Sequence, residues 1–220
     1  MKVVLFCGGL GTRLREYSET IPKPLVDIGN RPILWNVMKY YAHFGHKEFI
    51  LCLGYGANMI KNYFLKYNEC DSNNFTFEDG GKKIQIFNND ISDWKITFVD
   101  TGIHSNLGER LMQVKEHIGD DEYFLANYSD GLSDLDLPSY LDDFYRKDAI
   151  ASFLLVKPSQ SFHSAHLDDK GLITEIRHVK DTDFRINGGF LAFRRDIFDY
   201  MQKGEELVEI PFNRLIEINK

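Results

Sequence analysis

The sequence is short of cysteine, of positive charge and of long apolar runs, and each shortage narrows the function. Its three cysteines, Cys7, Cys52 and Cys70, are odd in number and include no Cys-x-x-Cys pair. Cys7 and Cys52 fall inside predicted buried strands and are expected to pack as small apolar groups. A reducing cytoplasm is the expected compartment. Lys and Arg total 26 against 33 Asp and Glu, a net charge of −7, which argues against a duplex nucleic-acid partner. No apolar run approaches the roughly eighteen residues of a membrane span, and the Met1-Lys2 start lacks a signal-peptide pattern. Histidine gives two His-x-x-His spacings, His43/His46 and His163/His166, neither with a convincing third ligand, so zinc is not expected.

What remains is ordinary globular composition, 43% hydrophobic and 27% charged over 220 residues, enough for one sizeable core. With no internal repeat and no low-complexity linker, the expectation is one domain over residues 1–220. Within it, 71–93 reads as an insertion and 157–220 as a C-terminal elaboration.

The chain is organised around its first stretch. Apolar Val3-Val4-Leu5-Phe6-Cys7 runs straight into Gly8-Gly9-Leu10-Gly11-Thr12-Arg13, with Lys23-Pro24-Leu25 shortly after. Glycine lets main-chain N–H groups approach a ligand closely, and successive N–H groups form an anion-binding nest. Arg13 and Lys23 add fixed positive charge, so the stretch reads as a phosphate cradle at the end of a first strand. It is not a P-loop, because Gly11 is followed by Thr12-Arg13 rather than Lys-Ser/Thr. Nor is it the dinucleotide fingerprint, whose third glycine is replaced by Leu14. The plainer alternative is a glycine turn beside an incidental arginine.

Periodicity supplies the frame. A strand over Lys2 to Cys7 is followed by a helix after Pro32, with Ile33, Leu34, Val37, Met38, Tyr41 and Phe44 on its apolar face. Pro32 at the first helical position and Gly45 past the end fit helix-end preferences. Phe49-Ile50-Leu51-Cys52-Leu53 reads as a strand buried on both faces, and Met59, Ile60, Tyr63, Phe64 and Tyr67 mark a second helix. This alternation predicts a parallel sheet with helices on both sides. In the insertion, Phe75, Phe77, Ile84, Ile86 and Phe87 flank Asp79-Gly80-Gly81 as a short hairpin. It reads equally as a flap, as a subunit contact in a homo-oligomer or as a solvent-exposed insertion. Further strands are expected at Trp94 to Val99, Glu122 to Tyr128, Ala149 to Val156, Ala165 to Leu167, Leu172 to Ile176 and Gly189 to Phe193. Helices are expected over Leu111 to Ile118 and Leu141 to Lys147.

Ligands of open α/β sheets sit at the carboxyl ends of the strands. Three polar clusters should converge there: the Gly8 to Arg13 loop, Gly102 through Arg110, and Asp130-Gly131. Asp130 at a strand end beside a phosphate cradle suits Mg²⁺, which takes one or two carboxylates together with substrate phosphates. The alternative for Asp130 is a turn-forming Asp-Gly pair, and for Arg110 a solvated surface charge.

Gly8-Gly9-Leu10-Gly11-Thr12-Arg13 followed by Pro22-Lys23-Pro24-Leu25 resembles the signature of the sugar-1-phosphate nucleotidyltransferases. Asp27 to Trp35, Leu53-Gly54-Tyr55, Trp94 to Gly102, Gly108-Glu109-Arg110-Leu111, Asp130-Gly131 and Ile186 to Phe190 most resemble the glucose-1-phosphate cytidylyltransferases. The resemblance implies a Rossmann-like, open, mixed but mainly parallel sheet flanked by helices, of the nucleotidyltransferase or glycosyltransferase-A-like kind. It also implies a reaction in which CTP and a small phosphorylated acceptor give a CDP-linked product and pyrophosphate, for surface polysaccharide or capsule biosynthesis.

Carried over residue by residue, Phe6, Cys7, Gly8, Gly9, Leu10, Gly11, Thr12 and Arg13 would hold the nucleotide, with Arg13 on the leaving pyrophosphate. Lys23 would sit at the α-phosphate, and Ser105, Gly108 and Arg110 would help to hold CTP. Asp130 would bind Mg²⁺, and Asn187 and Gly188 would line the acceptor site. The family's Glu-Lys-Pro before the Asn-Gly-Gly turn is replaced here by Glu175-Ile176-Arg177-His178-Val179-Lys180-Asp181. Arg177 or Lys180 is then expected to supply the charge, as a planar fork or a point charge respectively. The family's preceding Phe-Gly is replaced by Ser161 to His166. The acceptor is left open between glucose 1-phosphate and another small phosphate, a phosphorylated amino acid included. Lys220 precedes the position of the family's second metal carboxylate, which implies a one-carboxylate site or a truncated chain. A UTP- or dTTP-dependent transferase and a non-catalytic nucleotide-binding module are the alternative functions.

Overall fold

The computed structural model describes residues 1–9, 21–159 and 161–220. Strand β1 (Lys2–Phe6) is β-branched and apolar, and Val3, Val4 and Leu5 are fully buried. After the undescribed stretch, Lys23–Leu25 forms a single 3₁₀ turn. A small antiparallel ribbon, β2 (Asp27–Ile28) with β3 (Arg31–Pro32), then leads into α1 (Ile33–His43). Pro32 stands at the N-cap rather than at the first helical position, and Gly45 follows the helix at φ +86°. Next come β4 (Glu48–Leu53), α2 (Ala57–Leu65), and the insertion hairpin of β5 (Phe75–Glu78) and β6 (Lys83–Ile86).

The chain continues through β7 (Lys95–Asp100), α3 (Leu107–Gln113), α4 (Lys115–Ile118), β8 (Tyr123–Asn127), α5 (Leu137–Arg146) and β9 (Ala151–Val156). The expected helix from Leu111 to Ile118 is therefore two pieces broken at Val114. The first starts four residues earlier than periodicity indicated, at a capping box in which Asn106 and Glu109 satisfy each other's backbone N–H groups. Helix α5 likewise begins before Leu141, where Asp136 and Pro138 form its start. A second hairpin, β10 (His163–Leu167) and β11 (Ile173–His178), precedes β12 (Ile186–Arg194) and α6 (Ile210–Glu217).

The main sheet has six strands in the order β7-β4-β1-β8-β12-β9. The pairings β7–β4–β1–β8 are parallel, and β12 runs antiparallel to both β8 and β9. The sheet is thus mixed and mainly parallel. Alternate side chains of its central strands feed two separate cores. Val3, Leu5, Cys7, Leu51 and Leu53 pack under α1 and α5, while Val4, Phe6, Ile50 and Cys52 face α3, α6 and the 195–200 turn. Burial on both faces is what a near-continuous apolar strand requires. It also pushes the Cys7 thiol up to about 12 and raises that of Cys52, so both pack as inert apolar groups.

The insertion is tied down at its base. Arg31, only 4% exposed, donates from Nη2 to the Asn68 carbonyl at 2.7 Å and from Nε to Ser72 Oγ at 3.0 Å. Its guanidinium also lies over the Tyr67 ring, 4.2 Å from the centroid. Asp90 accepts from Asn73 Nδ2, Tyr67 Oη and Lys39 Nζ, which closes the far end of the insertion onto α1. The hairpin beyond turns at Asp79-Gly80-Gly81 as expected, all three at positive φ, with Phe77 61% exposed. Among the described residues, no helix is long and apolar enough to cross a membrane.

Candidate active site

The carboxyl ends of β1, β4 and β7 meet in three glycines. A Cβ on Gly54 would lie 2.8 Å from both the Gly8 and the Gly102 carbonyl oxygens, and Gly102 itself has φ +85°. Only glycine lets three strand ends approach so closely. Into this knot reaches Arg110 from α3, 3% exposed. Its Nη1 donates to the Leu53 carbonyl at 3.1 Å and to Thr101 Oγ1 at 2.7 Å. Its Nη2 donates to the Gly8 carbonyl at 3.1 Å and to that of Ile103 at 3.4 Å. These partners are neutral oxygens, and burial pulls the guanidinium below its ordinary pKa, with Asp100 and Glu109 opposing from farther off. The reading of Arg110 as a solvated surface charge is therefore wrong, because the strand-end carbonyls need a buried donor.

The end of β8 delivers the carboxylate. Ser129 is fully buried at φ +64°, unusual for a residue with a side chain. Two bonds hold it there: its N–H donates to Asn127 Oδ1 at 2.8 Å, and its Oγ donates to the Phe6 carbonyl at 2.8 Å. That kink turns Asp130 outward, where its carboxylate is 41% exposed and 3.9 Å from Lys23 Nζ. Lys23 is fixed by its own turn. Pro22 packs so tightly on Gly56, itself at φ +68°, that a Cβ there would lie 2.6 Å from the proline ring.

Two clefts open over these strand ends and share a boundary. The larger, about 610 Å³, is lined by Phe6, Cys7 and Gly9, by residues 103–107 and Arg110, by Glu206, and by Lys23, Tyr128 and Asp130. The smaller, about 410 Å³, is lined by Asn187, Gly188, Gly189, Asn127 and Gly131, and again by Lys23, Tyr128 and Asp130. Asn187 Nδ2 donates to Tyr128 Oη at 2.9 Å, and its Oδ1 accepts from Gly189 N at 2.8 Å. The β9–β12 register shifts between Asn187 and Leu191, and that irregularity aims the segment into the cleft.

The structure thus brings together Phe6, Cys7, Gly9, Lys23, Ser105, Arg110 and Asp130 in one cleft and Asn187 and Gly188 in the next. Ser105 Oγ donates to the Thr101 carbonyl. Gly8 serves the knot, its missing side chain making room for Arg110. Gly108 lines neither cleft. It is buried where a Cβ would overlap the Glu205 carbonyl oxygen, so it is a packing glycine between α3 and the C-terminal segment. Arg177 and Lys180 also lie outside both linings. Arg177 is 58% exposed and paired with Glu175, and Lys180 stands exposed on the turn after β11. Leu10, Gly11, Thr12 and Arg13 lie outside the described residues.

Sequence reasoning missed Glu206, which reads locally as one of several surface acids. In the structure it is half-buried on the rim of the larger cleft, and desolvation raises its carboxyl pKa while the Leu107 and Leu207 N–H groups oppose the rise.

The model of the nucleotidyl transferase family matches residues 2–207. A probable glucose-1-phosphate cytidylyltransferase of Bacillus subtilis is 39% identical over 203 residues, covering 92% of this chain and 78% of that protein. The glucose-1-phosphate cytidylyltransferase of Salmonella typhi is 36% identical over 199 residues, 90% of this chain and 77% of its own. Among solved structures, HddC from Yersinia pseudotuberculosis superposes with a TM-score of 0.63 at 24% identity, over 93% of this chain and 82% of that one. A UDP-glucose pyrophosphorylase complexed with UDP-glucose gives 0.66 at 16% identity, over 99% and 86%. These two structures share the fold. Matched by the family model over nearly its whole described length, and by relatives over most of both chains, the chain belongs to the nucleotidyl transferase family and is an enzyme of that class.

Proposed function

We propose that this enzyme transfers CMP from CTP to a small phosphorylated acceptor, with glucose 1-phosphate the first substrate to test. One observation carries the reading: two clefts, one lined by Cys7 and Gly9 and one by Asn187 and Gly188, meet at Lys23 and Asp130. A nucleotide in the larger and a phosphate ester in the smaller would bring the attacking oxygen and the α-phosphorus together at that junction. The printed names of the Bacillus and Salmonella relatives support CTP and glucose 1-phosphate.

The acceptor's phosphate oxygen attacks the α-phosphorus, the new P–O bond forms, and the bond to the β-phosphate breaks in line to release pyrophosphate. A phosphate monoester is already largely ionised at pH 7, its second pKa being about 6, so no general base is needed. The protein's work is positioning and charge compensation. Lys23, its side chain 17% exposed, supplies a positive charge beside the reacting phosphates. Asp130 is the residue that would hold Mg²⁺ with the nucleotide's phosphates, and what the ion supplies there is neutralisation of phosphate charge. The donor set fits: the Asp130 carboxylate is 41% exposed where the two clefts meet, and Mg²⁺ at phosphotransfer sites takes one or two carboxylates together with phosphate oxygens. Arg13 on the pyrophosphate completes the reading. A cytoplasmic enzyme supplying a CDP-linked precursor for surface polysaccharide or capsule is the setting we propose.

The test is pyrophosphate release with Mg²⁺ and CTP, UTP or dTTP against a panel of sugar and non-sugar phosphates. Release from CTP with glucose 1-phosphate is the expected result. Preference for UTP or dTTP would overturn the nucleotide, and CTP binding with no release across the panel would overturn the enzymatic reading of the site. The exposed positions of Arg177 and Lys180 favour including acceptors other than glucose 1-phosphate in that panel.

A further inference from the structure

Glu206 is at odds with a cleft that takes a polyanion. A nucleoside triphosphate brings about four negative charges, and a carboxylate in the same low-dielectric cleft opposes it unless the carboxylate meets a donor. Nothing about Glu206 marks it as a stray surface acid. It is half-buried, it lines the larger cleft with Leu107, Arg110 and Tyr128, and its Oε1 accepts from the Leu207 N–H at 3.1 Å. The Leu107 N–H also stabilises its charged form, which ties the carboxylate to the 103–107 wall. An ionised carboxylate offers about four acceptor positions, so two backbone donors leave others free to face the cleft.

The ligand decides what those positions can meet. The phosphates of a nucleoside triphosphate carry only acceptors, and they belong at the Lys23–Asp130 junction. Neutral donors exist only on the nucleoside half, as the exocyclic amine of cytosine and the hydroxyls of ribose. A carboxylate accepts well from the cytosine amine, whereas uracil presents an oxygen at the same place and would leave two acceptors facing each other.

We propose that Glu206 is a specificity residue of the nucleotide cleft, accepting a hydrogen bond from a neutral N–H or O–H donor on the nucleoside half of the bound nucleotide. This inference rests on the nucleotidyl-transfer reading of the site given above.

The test is calorimetric binding of CTP, UTP, dCTP and inorganic triphosphate to the wild type, Glu206→Gln and Glu206→Asp. Gln keeps the shape and removes the charge, while Asp keeps the charge and withdraws it by one methylene. Relative to inorganic triphosphate, both variants should bind CTP about tenfold or more weakly, a loss of about 1.4 kcal/mol. Inorganic triphosphate should bind Glu206→Gln as well as the wild type or better. Collapse of the CTP-over-UTP preference identifies the amine as the donor, and collapse of CTP-over-dCTP identifies the 2′-hydroxyl. Equal changes for CTP and inorganic triphosphate, or an Asp variant that binds CTP like the wild type, would overturn the proposal. Should the wild type prefer UTP or dTTP, the CTP reading fails by itself, and the comparison of that nucleotide with inorganic triphosphate still decides the role of Glu206.

Discussion

The guanidinium of Arg110 fills the space that a side chain at residue 8 would need, and its Nη2 donates back to the Gly8 carbonyl at 3.1 Å. Residues 102 positions apart therefore fix each other: the glycine admits the arginine, and the arginine holds the glycine's carbonyl. Gly8→Ala should destabilise the protein by about 1–3 kcal/mol, the range for overpacking a filled site. Arg110→Ala should cost about as much, because buried carbonyls lose their donor. The double variant should cost less than the sum, since the clash with the guanidinium goes with the arginine and only the 2.9 Å approach to the Gly54 nitrogen is left, and thermal melts of the three proteins check it. Strict additivity would mean that the two sites are independent.

Asp130→Asn should reduce pyrophosphate release on the order of a hundredfold or more. Its stability should change by no more than about 0.5 kcal/mol, because the carboxylate is 41% exposed and only loosely paired with Lys23. A chelator added to the wild type should lower the rate comparably. A variant with near wild-type turnover would remove Asp130 from the metal site.

Ser129 separates strain from bonding. Ser129→Ala loses the bond to the Phe6 carbonyl while keeping a side chain at φ +64°, and should lose about 1–2 kcal/mol. Ser129→Gly loses the same bond but relaxes the backbone, and should be the more stable of the two in urea melts. Both should lower kcat more than they raise the KM for nucleotide, because the turn that aims Asp130 loosens.

His46 gives the fold a pH dependence. Burial, and secondarily the Met1 ammonium 3.4 Å from its Nδ1, lower its pKa to about 4. The unfolded chain, with an ordinary histidine near 6.5, binds the proton first as pH falls. This contribution to stability is complete above about pH 6.5 and is lost as pH falls from there towards 4. Tm of His46→Gln should fall less than wild-type Tm across that window. Parallel curves would show that other groups govern the acid limb.

The insertion hairpin should come free when its base is cut. Arg31→Ala removes the bonds to Asn68 and Ser72 and the contact with Tyr67. Limited proteolysis should then cleave within 75–87 faster than in the wild type, with the main sheet left intact. Unchanged cleavage would mean that Asp90 alone suffices.

Much of this architecture is legible locally. Val3-Val4-Leu5-Phe6 and Phe49-Ile50-Leu51-Cys52-Leu53 are strands wherever they sit, because burial on both faces demands unbroken apolar runs. The hairpin turn at Asp79-Gly80-Gly81 and the carboxylate after β8 follow from residue type as well. Less visible were the starts of α3 and α5, where the Asn106–Glu109 box and Asp136 with Pro138 outrank apolar periodicity.

By itself the sequence determined the run of the six main strands with α1, α2 and α5 between them, and the presence of Lys23, Ser105, Asp130 and Asn187 at strand or loop ends, but not the β2–β3 ribbon or α6. These depend on backbone preference and burial, which act over a few residues. Only the tertiary structure decided that Arg110 is a buried clasp, that Gly108 is a packing glycine against residue 205, that Glu206 enters the larger cleft, and that Arg177 and Lys180 stand outside the smaller one. Each of those outcomes turns on which distant segment arrives beside which. Side-chain identity alone does not carry that, because the same arginine is surface charge or core depending on the carbonyls the sheet brings to it.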